Sequence, residues 1–150
     1  MKELVNQNIN IFDIAVGVNQ AVCVTTNGEI RVNGCAVMGK GIALEAKQRF
    51  NGIDNKLGKY INAYGNRAFN LGIFDYHVFS FPTKNSWHNK SDIDLIIKSA
   101  HELVELANRF DITTCYLPPV GCGCGGLKWN YVKSKIQDIL DDRFIVVLNK

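Results

Sequence analysis

No stretch of this 150-residue chain approaches the run of about 20 apolar residues that a membrane-spanning helix requires. Its first residues, Met1-Lys2-Glu3-Leu4-Val5-Asn6, lack the apolar centre of a secretory signal. No membrane partner is expected, and the chain reads as cytoplasmic. Charge of one sign is also scarce. The formal net charge of +3 is too small to argue by itself for duplex DNA binding, but it suits a small anionic ligand. The cysteines, Cys23, Cys35, Cys115, Cys122 and Cys124, are odd in number and show no C-x-x-C spacing. That argues against a disulfide framework and for a reducing compartment. A zinc site needs about four ligands. Cys122-x-Cys124 is tighter than a zinc knuckle and has no histidine nearby, so neither metal nor cofactor is expected. The P-loop pattern G-x-x-x-x-G-K-[ST] is missing, as is the dinucleotide fingerprint G-x-G-x-x-G.

What the chain does contain is an ordinary globular composition, 47% hydrophobic and 21% charged, with no linker, repeat or low-complexity segment. One domain spanning 1–150, and a monomer, is the expectation. Ile9 to Ile14 reads as a short strand. Ala21 to Thr25 reads as a buried strand, because its apolar, β-branched run is continuous. Asn27 to Asn33 is a turn-rich excursion, followed by a helix from Gly41 to Phe50. Ile53, Leu57, Tyr60, Ile61 and Tyr64 keep helical spacing despite Gly58, and Gly65 stops that helix. Ala68 to Ile73 and His77 to Phe81 form a hairpin. Ser91, with Asp94 three residues on, predicts the cap of a long helix striped by Ile93, Ile96, Ile97, Ala100, Leu103, Val104 and Ala107. Thr113 to Leu117 is a strand. A helix with Trp129, Val132, Ile136, Ile139 and Leu140 on one face follows, then a closing strand from Phe144 to Leu148. This alternation predicts an α/β fold with helices on both faces of a mixed sheet.

Two glycine-rich loops fall where strands hand over to helices. They are Val37-Met38-Gly39-Lys40-Gly41-Ile42 and Val120-Gly121-Cys122-Gly123-Cys124-Gly125-Gly126. Either alone is explained by a tight turn. Together they suggest a clamp of backbone N–H groups for a ligand with more than one phosphate. Lys47 falls on the same side of its helix as Ala43, Ala46 and Phe50. It either buries its stem and reaches for water, or presents a partly desolvated amine able to act as nucleophile or base. His77, His88 and His101 lack a paired nucleophile and carry no expected catalytic role. Lys84 and Trp87 occupy a polar loop that touches substrate or simply caps a helix. Trp129 reads as core.

Five segments in order resemble the macrodomain family, which binds ADP-ribose. Asp13-Ile14 is similar to the family's acidic adenine-binding pair, and Thr26-Asn27 follows at a similar spacing. Asn33, then Met38-Gly39-Lys40-Gly41-Ile42-Ala43-Leu44 with Lys47 and Phe50, resembles N-x-x-x-x-M-G-K-G-I-A-x-x-x-K-x-x-F. Phe81-Pro82-Thr83-Lys84, Trp87 and Ser91 resemble F-P-T-K-x-x-W-x-x-x-S. Leu117-Pro118, Gly121-Cys122-Gly123 and Gly125-Gly126-Leu127-x-Trp129 resemble the second phosphate loop and its helix. The similarity is strongest to the terminal ADP-ribose glycohydrolase and to antitoxin macrodomains that remove ADP-ribose from DNA.

The resemblance implies a three-layer α/β/α macrodomain with a central mixed, mostly parallel sheet. It implies that Asp13 and Ile14 hold adenine, that both loops hold the diphosphate, and that Asn33, Gly34 and Cys35 face the distal ribose. Lys47 matches the lysine proposed to attack C1″. Asn27 competes with Asn33 for the catalytic asparagine's place, and the spacing to Met38 favours Asn33. The implied activity is hydrolytic removal of ADP-ribose from DNA or protein. The alternatives are a non-catalytic ADP-ribose reader and an ADP-ribose-1″-phosphate phosphatase. The glycohydrolase that uses this lysine carries an aspartate where this chain has Gly125.

Overall fold

A computed structural model of the chain describes residues 1–6 and 8–149. Its centre is the strand β2 (Gln20–Asn27), whose side chains divide two cores. Ala21 and Cys23 point into one core and Val22 and Val24 into the other, all fully buried. A strand alternates its faces with a period of two, so a continuous apolar run means burial on both sides. Around β2 run β1 (Lys2–Asn6), α1 (Gly41–Arg49), α2 (Ile53–Tyr64), β3 (Asn70–Ile73), β4 (His77–Lys84), α3 (Ile93–Arg109), β5 (Thr114–Leu117), α4 (Trp129–Ile136) and β6 (Phe144–Asn149).

The strands form one sheet in the order β1-β6-β5-β2-β4-β3. Every pairing is parallel except β3 with β4. Ala43, Ala46, Ile53, Leu57 and Ile61 of α1 and α2 cover one face with Val22, Val24 and Val78. Ile96, Ala100, Leu103, Val132 and Ile136 of α3 and α4 cover the other with Phe79, Phe81 and Phe144. This is the expected three-layer α/β/α arrangement. Burying each large aliphatic or aromatic side chain contributes about 1.5–3 kcal/mol.

Three local expectations are corrected. Residues 9–14 are no strand: Ile11–Asp13 make a 3-10 turn, because Asn10 caps it by accepting from the Phe12 N–H at 3.0 Å. The strand beside β6 is instead Lys2–Asn6, in register from Lys2 with Ile145 to Asn6 with Asn149. The cap of α3 is Asp92 rather than Ser91. Its carboxylate accepts from Asp94 N at 2.9 Å and Leu95 N at 3.4 Å. Ile139 and Leu140 fall beyond the end of α4, although Leu140 is buried. Among the described residues no helix is long and apolar enough to cross a membrane.

Candidate functional site

Each βα handover leaves a crevice beyond the carboxyl end of the sheet, and such crevices bind ligands where connections diverge to either side. Here β2 lies between β4 and β5, with which it pairs in parallel. Beyond the ends of these three strands opens a cleft of about 1040 Å³, at the upper end of the range for small-molecule sites. Its floor is Thr25, Thr26 and Asn27 from β2, Thr83 and Lys84 from β4, and Pro118 and Pro119 after β5.

The two glycine loops are opposite walls. Val37, Gly39, Lys40, Gly41 and Ile42 line one side, and Gly121, Cys122, Gly123, Cys124 and Gly125 the other. Gly41 opens α1 at φ +58°, a backbone state that side chains resist. The first turn of α1 has neither an acidic residue nor a side-chain cap. Its leading N–H groups are thus left for an anion at the positive end of the helix. Met38 and Val120 are buried beneath the loops, 1% and 0% exposed, and serve as their apolar footing.

The electrostatics agree with this. Arg31, Lys40 and Lys84 line the cleft, and none of the three has a carboxylate within ion-pair distance among the described residues. The one acid in the lining, Glu29, accepts from Ser86 Oγ at 2.9 Å. Burial pushes the Cys122 thiol up from its ordinary value, so it stays neutral and adds no negative charge to its loop. Among the described residues no three His, Cys, Asp or Glu side chains gather as a metal-binding group.

Lys47 is absent from the cleft lining. Its side chain is 41% exposed and its Nζ lies 4.0 Å from Asp54. The physical reason is axial: the helix turns Lys47 toward Ala43, but each residue also advances about 1.5 Å. Position 47 therefore lies several residues from the end of α1 that meets the cleft. Asn33 is also outside the lining. It is exposed, and its Oδ1 is engaged by Cys35 N at 3.0 Å in a turn that also contains Gly34. Gly34 and Cys35 share its position outside.

Asn27 and Lys84 do line the cleft. They are register partners across β2 and β4. Asn27 Nδ2 donates to Val37 O at 3.0 Å, fastening the first loop, and Lys84 Nζ donates to Cys124 O in the second at 3.4 Å. Asp13 and Ile14 also lie outside the lining, and Asp13 pairs with Arg49 at 3.2 Å.

Ser91, expected as a helix cap and as the last residue of the F-P-T-K-x-x-W-x-x-x-S segment, has a different place. Ser91 lies in the cleft wall, 8% exposed, with its Oγ making no hydrogen bond to any described residue. A Cβ at Gly125 would come within 2.2 Å of that oxygen. Ser91 thus fills the space in which a side chain at position 125 would begin.

Known proteins match in the same regions. The Macro domain family matches residues 31–136. The chain is 33% identical over 120 residues to the DNA ADP-ribosyl glycohydrolase of Thermus aquaticus, covering 73% of this chain and 32% of that protein. It is 30% identical over 112 residues to the protein of that name from Mycobacterium tuberculosis, covering 70% and 32%. The chain thus spans about a third of the length of the curated relatives it matches. Among solved structures, the macrodomain of Thermus aquaticus DarG superposes with a TM-score of 0.76 at 26% identity, covering 99% of both chains. Thermosipho africanus DarTG in complex with ADP-ribose gives 0.69 at 26% identity, over 86% of this chain and 38% of that one. With its two glycine walls at the ends of a mixed sheet, the chain belongs to the Macro domain family.

Proposed function

We propose that the chain binds ADP-ribose with its diphosphate between the two glycine loops and hydrolyses the bond joining the distal ribose to a DNA base. The observation that carries this reading is the pairing of Asn27 with Lys84, side by side between those loops. It is supported by relatives named DNA ADP-ribosyl glycohydrolase.

In this mechanism the Lys84 amine attacks C1″ and gives up a proton as the new bond forms. The bond to the base breaks, its electron pair leaves with the base, and the base takes a proton. Water then displaces the lysine at C1″. The net change adds water across the bond, giving ADP-ribose and the unmodified base. Asn27 orients the distal ribose, and the α1 amides with Lys40 neutralise the diphosphate.

The test is turnover of a single-stranded oligonucleotide carrying one ADP-ribosylated base, alongside calorimetric titration with ADP-ribose. Lys84→Ala is expected to reduce turnover by about 10²–10⁴-fold while ADP-ribose still binds. Lys47→Ala is expected to leave both unchanged. Loss of turnover in Lys47→Ala with retention in Lys84→Ala would return the role to α1. Binding without turnover in the wild type would make the chain an ADP-ribose reader, the reading that the lack of a carboxylate at Gly125 favours.

A further inference from the structure

The lining of the cleft also includes residues that belong to neither glycine loop. Two segments supply several of them. One is the excursion after β2, closed into a small hairpin by the Ile30–Ala36 bridge and by Arg31 N donating to Cys35 O at 2.7 Å. The other is the turn after β4. They are fastened together: Gly28 N donates to Asn85 O at 3.2 Å and Ser86 Oγ to Glu29 at 2.9 Å, while Ser86 Oγ also meets His88 Nδ1 at 2.9 Å.

Of the eight large apolar side chains exposed among the described residues, two line the cleft, and both are here. They are Val32, fully exposed, and Trp87, 51% exposed. The Trp87 ring is braced edge-on by His88 at 5.4 Å and 78°. Arg31 lines the same cleft, and its guanidinium has no ion-pair partner among the described residues.

We propose that this region is a subsite for the nucleic-acid part of the substrate. One unpaired base stacks on Trp87 against Val32, and its neighbouring phosphate pairs with Arg31. The inference rests on the reading of the cleft as an ADP-ribose site, because it concerns what is attached beyond the distal ribose. An aromatic face and an unpaired guanidinium lining one cleft match a base with its phosphate, and base stacking on such a ring tolerates any sequence. An acidic or extended peptide would use Arg31 but would leave the planar ring without a matching partner.

The experiment compares three probes: free ADP-ribose, an ADP-ribosylated single-stranded oligonucleotide and an ADP-ribosylated peptide. Oligonucleotide affinity is read by fluorescence anisotropy in the Lys84→Ala background, or as KM in the wild type. Trp87→Ala is expected to weaken the oligonucleotide about tenfold, the lower part of the range for one stacked base. Trp87→Phe should restore most of the loss. Arg31→Ser should weaken it as well and flatten its salt dependence. Free ADP-ribose should bind all three variants as it binds the wild type. Equal losses for the oligonucleotide and free ADP-ribose would overturn the subsite, as would no loss for the oligonucleotide. Equal losses for the oligonucleotide and the peptide would overturn its assignment to a base. If the wild type binds no ADP-ribose at all, the underlying reading of the cleft fails first and the subsite falls with it.

Discussion

Gly58 sits in the middle of α2, where helix propensity alone says that alanine should be better by about 1 kcal/mol. The structure predicts the opposite sign. A Cβ placed on Gly58 would lie 1.9 Å from the carbonyl oxygen of Gly34 and 2.9 Å from the amide nitrogen of Ala36. Carbon and carbonyl oxygen settle no closer than about 3.3 Å, so roughly 1.4 Å must be found between two backbones. The hairpin after β2 is held there by Ala36 N donating to Asp54 O at 2.9 Å, and that bond must stretch or break. Overpacking costs about 1–3 kcal/mol and the lost hydrogen bond about 1 kcal/mol. After the propensity gain, Gly58→Ala is expected to destabilise by about 2 kcal/mol, lowering Tm by roughly 4–8 °C for a chain of this size. Thermal and urea unfolding followed by circular dichroism measure this. Because Val37 begins the first glycine loop directly after Ala36, ADP-ribose affinity should fall in parallel. A variant with unchanged or raised Tm would refute the claim that α2 and the hairpin are in backbone contact.

Gly125→Ala brings a methyl onto Ser91 Oγ and should cost about 1–3 kcal/mol. Adding Ser91→Gly should recover most of it, and additive losses in that double-mutant cycle would show that the two residues do not meet. A third expectation concerns pH. His77 is buried in β4, 5% exposed, with its Nδ1 3.0 Å from Asn70 Nδ2, and burial lowers its pKa from the ordinary 6.5. The unfolded chain therefore takes up this proton first, so stability should decline as pH falls below 6.5 toward the lowered folded value. His77→Gln should flatten that part of the unfolding free-energy profile, and an unchanged slope would reject the assignment.

Much of this was legible in the residues. The run Ala21-Val22-Cys23-Val24 announced a strand buried on both faces, and the stripe of α3 gave its inward side. The glycine loops are visible because backbone chemistry there depends on glycine itself. What escaped were features set by partners distant in the chain. Lys2–Asn6 has little strand signature of its own and becomes a strand by pairing with β6. A helical wheel puts Lys47 on the side of Ala43 but discards its position along the axis, which only the structure supplies. Lys84 was in view as part of Phe81-Pro82-Thr83-Lys84. Its weight comes from the register with Asn27 and the contact with Cys124, neither of which local sequence encodes. Asn33 keeps the spacing to Met38, while the bond its side chain accepts from Cys35 N is visible only in the structure.

The cleft is a long-range product of the sheet. Its walls come from residues 25–32, 37–43, 83–91 and 118–125, segments brought together by the parallel pairing of β2 with β4 and with β5. A ligand of the cleft therefore reports on whether those three strands are assembled. By mass action, a ligand at a hundred times its Kd adds about 2.7 kcal/mol to the stability of the whole chain.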